Sequence, residues 1–501
     1  MDGQDIHWSY TLLSTILLLA DFILRISLSL RVIMRKKPYG VSLAWLVVIL
    51  LIPFIGGICY LLLGENRLPE KRIERAKSSY KTYLQWLKTL RQRAPVTWEN
   101  INPECSPLHR QAETLVGLPA MAGNDLTLLT TPEEIIDCLI NAIANAQSTC
   151  HMQYYIWEEG GRINQITEAL ISAAQRGVIC RLLLDSIGSR DFLRSKQAER
   201  MRQAGINIQE SLPAGIINAF FSRIDIRNHR KLTVIDGSIA YTGSFNMVDP
   251  DIFKSGAGVG NWVDIMVKVE GPVVESLAGT FISDWFLETG IGEHRSASLL
   301  DNAEAVKKAS DMQARPETGV SPVQLVPSGP GLVPETIHNL LLTTIYAARR
   351  ELVLTTPYFI PDEPLLAALQ AAAQRGVLVK IIIPRDNDSV LVKYACRARY
   401  QELIDAGVKI YLFHGGLLHS KTITVDGDFS LLGSVNLDMR SFWLNFEATL
   451  FIYCQVFTQK LYSLQQIYLN QSEELDSDAF SQRGSFEKFK ENLTLLVSPL
   501  L

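Results

Sequence analysis

The 501-residue chain has no CxxC pair and no even set of cysteines: Cys59, Cys105, Cys138, Cys150, Cys180, Cys396 and Cys454 stand singly along it. A disulfide framework and a zinc site are thereby not indicated, and free thiols packed in the core are the plain reading. Charge of one sign is also lacking, with 48 Lys+Arg against 52 Asp+Glu and a formal net charge of −4. Composition therefore gives no argument for a nucleic-acid partner. A cleaved signal peptide is not expected: the first eight residues are acidic rather than basic, and no small-residue cleavage site follows the apolar stretch.

What the chain does have is length for two globular units and an apolar N-terminus. Residues 41–63, VSLAWLVVILLIPFIGGICYLLL, are an uncharged run of 23 residues, about 34 Å as a helix and enough to span a bilayer. The stretch before it, from Trp8 to Met34, is apolar but holds Asp21, Arg25 and Arg31. Asp21 and Arg25 stand at i and i+4, where they can pair on one face. The expectation is a transmembrane hairpin over residues 1–64 with RKKPYG at its tip. Basic residues flank the second span on both sides, so the charge rule sets no orientation, while the free cysteines favour a cytoplasmic catalytic body. Residues 65–115 read as a basic linker region. Its helix either lies on anionic headgroups or packs Tyr83, Trp86, Leu87 and Leu90 on the body.

The soluble part is written twice. RNHRKLTVIDGSIAYTGSFN at 227–246 and LLHSKTITVDGDFSLLGSVN at 417–436 share seven of twenty positions. These are His229/His419, Lys231/Lys421, Asp236/Asp426, Gly237/Gly427, Gly243/Gly433, Ser244/Ser434 and Asn246/Asn436. AAQRGV recurs as well, at an offset of 199, inside a helix–Gly–strand pattern preceded by another strand (150–157 and 351–360). Strand–helix–strand in each copy predicts an α/β sandwich in each half. The halves are expected at 116–300 and 334–501, with a Pro/Gly/Ser-rich linker at 301–333 and one shared site on a pseudo-two-fold axis.

In a strand, i and i+2 share a face, which puts His229 with Lys231 and His419 with Lys421. The Asp-Gly dipeptides are hairpin turns, so Asp236 and Asp426 read as turn stabilisers more than as substrate contacts. Two His, two Lys, two Ser and two Asn around one point suit a phosphoryl centre: oxyanion donors, a nucleophile and a proton donor for a leaving alkoxide. No metal is required, since no carboxylate cluster at metal spacing accompanies the motifs and the lysines compensate the phosphate. His7, His109, His151, His294 and His338 lack such a context. His414 lies before paired glycines that imply a close backbone approach. Tyr155, Trp157, Tyr358 and Phe359 read as core packing, with an acyl groove as the alternative.

HRKLTVID…GSFN and HSKTITVD…GSVN match, in duplicate, the HxKxxxxD motif of the phospholipase D superfamily. KKPYGVSLAWLVVILLIPFIGGICYLLLGENR, PYFIPDEPLLAAL, GLLHSKTITVDG and GSVNLDMRSFWLNFEA further resemble bacterial cardiolipin synthases of that superfamily, over nearly the whole chain. The resemblance implies two phospholipase D-like domains and transfer of a phosphatidyl group between two phosphatidylglycerol molecules, with release of glycerol and no cofactor. It implies a phosphohistidine on His229 and His419 as acid/base, with His229, Lys231, Asp236, His419, Lys421 and Asp426 as the catalytic motifs. It further implies that Ser244, Asn246, Ser434 and Asn436 bind phosphate and that Asp264 and Glu447 orient the imidazoles. Its partners would be phosphatidylglycerol as donor and acceptor and the bilayer of the bacterial inner membrane, in a multi-pass protein compatible with a homo-oligomer. A hydrolase or a transferase to another alcohol shares the same residues, and a non-catalytic scaffold would require a degenerate motif.

Overall fold

The computed structural model describes residues 3–35, 39–213, 223–290, 312–331, 333 and 335–496. Lys36, Lys37 and Pro38 of the expected hairpin tip, and His294, lie outside them. The chain divides into two compact units, residues 1–73 with 214–226, and 74–213 with 227–501.

The first unit holds α1 (Gly3–Met34), α2 (Tyr39–Leu51) and α3 (Ile55–Leu63). The uncharged run at 41–63 is not one helix. Pro53 brings no N–H to the helical ladder, and Phe54 takes φ 54°, so the run divides into pieces of about 20 and 14 Å. Among the described residues no helix is long and apolar enough to cross a membrane. The reading of 41–63 as a single span is thus corrected. The charges of α1 are tied inward. Arg25 pairs with Asp21 at 2.6 Å and donates to the Leu50 carbonyl at 2.6 Å, while Asp21 accepts the Phe54 N–H at 3.0 Å beside the break. Arg31 grips Glu65 at 2.7 and 2.8 Å, and the Tyr60 hydroxyl donates to the same carboxylate. Leu18, Leu19, Phe22, Ile23, Leu30 and Ile33 of α1 are exposed.

The helix α4 (Glu70–Leu90) runs on into the second unit, where Leu87 and Leu90 are buried with Tyr83 and Trp86 packed beside them. Trp86 Nε1 donates to Glu275 at 3.1 Å, and Arg75 donates to the carbonyls of Leu287 and Glu288, both at 2.8 Å. Of the two alternatives for the basic region, packing on the body is the one found.

In the second unit the first repeat supplies β1 (Met121–Leu129), β2 (Thr149–Tyr154), β3 (Ile179–Asp185), β4 (Asn207–Ser211), β5 (Arg227–Asn228), β6 (Leu232–Ile235), β7 (Ile239–Gly243), β8 (Trp262–Val263) and β9 (Met266–Glu270). The second supplies β10 (Ser321–Ser328), β11 (Glu351–Thr355), β12 (Phe359–Ile360), β13 (Leu378–Pro384), β14 (Lys409–Phe413), β15 (Leu417–Leu418), β16 (Thr422–Val425), β17 (Phe429–Gly433), β18 (Leu437–Asp438), β19 (Asn445–Ile452) and β20 (Ser472–Glu474). The order β4-β3-β2-β6-β7-β9-β1 is mirrored by β14-β13-β11-β16-β17-β19-β10. Within each set the strand–helix–strand pairs β2–β3 and β11–β13 are parallel.

The two sets are not separate sandwiches. They join through the antiparallel β1–β10 pair into one sheet, and Leu325, Leu450, Val267 and Val269 share one core with the helices Val274–Thr289 and Gln455–Asn470. The stretch 301–333, read as a linker, therefore contains the joining strand β10. Pro322 and Pro327 gave it the look of a loop. Pro327 pairs with Ala448 of β19, while the β1 pairing stops at Val323, so that side of Pro327 has no ladder bond for its missing N–H to break.

Each motif hairpin is pinned by its aspartate. Asp236 and Gly237 both have positive φ, as do Asp426 and Gly427, the conformation of a type I′ turn. The Asp236 carboxylate accepts the N–H groups of Gln147, Ser148 and Thr149 at 2.7–2.9 Å. Asp426 does the same for Arg349, Arg350 and Glu351 at 2.7–2.8 Å. Each thus ties the motif turn to the start of a neighbouring strand, at the far end of β6 or β16 from the imidazole. Asp236→Ala is expected to cost about 2–3 kcal/mol from lost charge-assisted bonds, seen as a lower Tm with kcat of the folded enzyme retained. An unchanged Tm with kcat lost would place the carboxylate in catalysis instead.

Candidate active site

The imidazoles sit where β5 passes into β6 and β15 into β16. The lead-in strand of each motif pairs with the opposite repeat: Arg227 and Asn228 lie beside Asn445 and Phe446 of β19, and Leu417 and Leu418 lie beside Trp262 and Val263 of β8. The exchange continues into the motif, with the His229 N–H donating to Phe446 O and the His419 N–H to Val263 O, both at 2.9 Å. Each imidazole is thereby delivered to the carboxylate of the other repeat. His229 Nδ1 is 2.9 and 3.0 Å from the Glu447 oxygens, and His419 Nδ1 is 2.7 Å from Asp264 Oδ1. A proton on Nδ1 satisfies each carboxylate and leaves Nε2 with its lone pair exposed.

Ser244 and Ser434 do not line the cleft, contrary to the phosphate-binding role implied above. Both are fully buried, and their hydroxyls brace the strands that carry the carboxylates. Ser244 Oγ accepts the Ile265 N–H at 3.1 Å and Ser434 Oγ accepts that of Ala448 at 2.9 Å, the residues next to Asp264 and Glu447. Asn246 and Asn436 do line it. Asn246 Nδ2 is a buried donor without a partner, positioned for a ligand's oxygen, whereas the unpaired end of the Asn436 amide is Oδ1, an acceptor suited to a ligand's hydroxyl. Lys231 Nζ donates to the carbonyl of His229 at 2.8 Å, and Lys421 makes the equivalent contact to His419 O.

Burial sets the electrostatics. His229 is pushed down to about 4 by burial, with Lys231 and Lys421 adding to the shift and Glu447 opposing it. His419 is likewise pushed down to about 4 by burial, against Asp264. Burial brings Lys231 down to about 7 and Lys421 to about 8. For Glu447 and Asp264 burial alone would raise the carboxyl, but the imidazole each holds and the nearby lysines together outweigh it and leave both lowered. An anion entering the cleft relieves the strain on both lysines and favours the imidazolium form of a histidine.

The cleft, about 460 Å³, is also lined by Tyr155, Arg227, Trp262, Tyr358, Asp388 and Asp438. Tyr155 meets His229 edge to face at 5.1 Å, and Trp262 lies 4.3 Å from His419. Tyr155 and Tyr358 thus face the cleft, whereas Trp157 and Phe359 are core. Arg227, Asp388 and Asp438 were missed because none stands at a position shared by the two copies. The one available signal was position, two residues before His229 for Arg227 and two residues after Asn436 for Asp438. Away from the cleft, His109 stacks on Trp98, His151 on Phe281, and His338 bonds Asp362.

A duplicated sheet presenting two crossed His–carboxylate pairs and two buried lysines defines a phospholipase D-like two-histidine enzyme site. A family model described as "Cardiolipin synthase, PLD-like domain" matches residues 139–285 and 341–466, and one described as "Phospholipase_D-nuclease N-terminal" matches 23–65. Cardiolipin synthase A of Yersinia pseudotuberculosis serotype O:1b is 43% identical over 98% of this chain and 99% of its own. The same figures hold for cardiolipin synthase A of Yersinia pestis bv. Antiqua (strain Angola). The chain belongs to the cardiolipin synthase family of phospholipase D-like proteins. The fold is also similar to phosphatidylserine synthase of Haemophilus influenzae Rd KW20, with TM-score 0.59, 17% identity, and coverage of 80% of this chain and 100% of that one.

Because the free-site lysines lose their charge at about 7 and 8 while a phosphodiester stays anionic, affinity for glycerophosphoglycerol should fall as pH rises through that window. Calorimetric titration from acid to alkaline pH checks this. An affinity that holds until the ordinary lysine value near 10.4 would contradict the burial argument.

Proposed function

We propose that this protein makes cardiolipin, moving a phosphatidyl group from one phosphatidylglycerol to a second and releasing glycerol. The observation that carries the reading is the pair of imidazoles, each fixed by the other repeat's carboxylate with Nε2 free. His229 Nε2 attacks the phosphorus, a P–N bond forms, and the P–O bond to the headgroup glycerol breaks. His419, as imidazolium held by Asp264, gives its proton to that oxygen and glycerol leaves. Neutral His419 then takes the proton of a hydroxyl on the second phosphatidylglycerol, whose oxygen attacks phosphorus as the P–N bond breaks. Both histidines return to their starting state. Lys231, Lys421 and Asn246 hold the non-bridging oxygens as charge develops, with Asn436 lining the same cleft. Asp264 and Glu447 fix the tautomers, Ser244 and Ser434 steady the strands behind them, and Asp236 and Asp426 hold the motif turns.

The first unit supports membrane attachment. With Arg25 paired to Asp21, Arg31 paired to Glu65 just beyond α3, and a run of Leu, Ile and Phe exposed on α1, it suits burial in the inner-membrane bilayer, where phosphatidylglycerol resides.

His229→Ala and His419→Ala should each lower cardiolipin formation from labelled phosphatidylglycerol in mixed micelles by at least about a thousandfold, as for loss of a catalytic nucleophile or its proton partner. The His419 variant should accumulate an acid-labile phosphatidyl adduct on His229. Phosphatidic acid as the main wild-type product would make the protein a hydrolase. An adduct on His419 in the His229 variant would reverse the two roles.

A further inference from the structure

Beside the catalytic cleft lies a second, larger cavity of about 840 Å³ that the mechanism above does not use. Its walls come from residues 258–260 ahead of Trp262, from His414 and Gly416 ahead of β15, and from Arg385 and Lys393. The same segments line the cleft a few residues on, at Trp262, His419, Asp388 and Val392. The cavity therefore adjoins the His419 side. From Gly416 to His419 is three residues of extended chain, about 10 Å. The close approach is built with glycine: a Cβ on Gly416 would lie 2.4 Å from Asn261 O, and one on Gly260 would lie 2.9 Å from Gly416 Cα.

The charges are unevenly used. Arg397 and Arg483 share buried Glu491 at 3.0 and 2.8 Å. Lys393 holds Asp386 in an exposed pair at 3.0 Å, a contact of the kind that contributes little and exchanges readily. Asp476 caps a helix by accepting the Ala479 N–H. Arg385 is exposed and, among the described residues, forms no ion pair. Its Nη1 donates instead to His414 Nδ1 at 3.1 Å. His414 Nε2 stands 3.6 Å from exposed Glu473, beyond hydrogen-bond distance, so the Arg385–His414 bond is what orients the guanidinium. An oriented arginine without a carboxylate, next to a weakly engaged lysine, is suited to a phosphodiester.

Resting on the reading above, we propose that this cavity is the acceptor subsite: Arg385, with Lys393, binds the phosphodiester of the second phosphatidylglycerol while its hydroxyl reaches the phosphorus held at His229. The direction agrees with the chemistry. His419 must deprotonate the incoming hydroxyl, so the rest of the acceptor extends past the His419 side. In the product the two phosphorus atoms are separated by six bonds, about 7 Å when extended, a spacing that puts the second phosphate toward this cavity. The subsite distinguishes a lipid alcohol from water and from small neutral alcohols, which have nothing for Arg385 to hold.

The test compares wild type, Arg385→Ala, Arg385→Lys and Arg385→Ala/Lys393→Ala with labelled phosphatidylglycerol in mixed micelles, with and without saturating ethanol. Cardiolipin formation should show an acceptor KM raised about tenfold or more by loss of charge-assisted bonds, with partial recovery in the Lys variant. Phosphatidylethanol formation, which needs the donor and both histidines alone, should be unchanged. Parallel loss of both products, or full retention of cardiolipin synthesis, overturns the proposal. So does loss of inhibition by inorganic phosphate with acceptor KM intact, which would make the cavity a free-phosphate site. A wild type that makes phosphatidylethanol and no cardiolipin would instead overturn the proposed function, independently of Arg385.

Discussion

Two hydrogen bonds, His229 to Glu447 and His419 to Asp264, are the constraint on which the rest of the molecule depends. Each needs a histidine from one repeat and a carboxylate from the other, so neither half can complete its own site. The short strands β5 and β15 exist to serve this exchange. They leave the local sheet, pair with the opposite repeat, and hand over an imidazole whose N–H is already bonded across the seam. The continuous sheet through β1 and β10, and the core shared by both repeats, hold the register at which the four groups meet.

The exchange also settles the charge. Two carboxylates and two lysines, all buried, form a balanced set in which removal of any one leaves an uncompensated charge. Burial keeps the imidazoles neutral and draws the lysines toward neutral pH, and an incoming phosphodiester reverses both effects by favouring the charged forms. The pseudo-symmetry stops at the cleft rim. Arg227 and Asn445 occupy on the His229 side the positions that Leu417 and Trp262 occupy on the His419 side, so the two histidines meet different surroundings although their own motifs match.

Much of this was legible before the fold was known, because duplication makes chemistry visible: residues kept in register between 227–246 and 417–436 against an otherwise divergent background mark the site. The carboxylates were found by resemblance alone. Nothing in the sequence shows that Asp264 serves His419 rather than His229, since pairing across the repeats is a property of strand exchange and not of spacing. Ser244 and Ser434 were misplaced because a conserved-looking hydroxyl beside a motif reads as a ligand, whereas these two brace a backbone. The run 41–63 was read by hydropathy, which sees Pro53 as one mildly polar residue and not as the break in a helix. Strand β10 was hidden by its two prolines, tolerated because the β1 pairing does not reach Pro327.

The central claim is that one shared site passes the phosphatidyl group through a histidine. Phosphatidylglycerol made chiral at phosphorus with oxygen isotopes tests it most directly. Two in-line displacements predict cardiolipin with net retention of configuration at the transferred phosphorus. Inversion would mean a single direct displacement and would contradict the account.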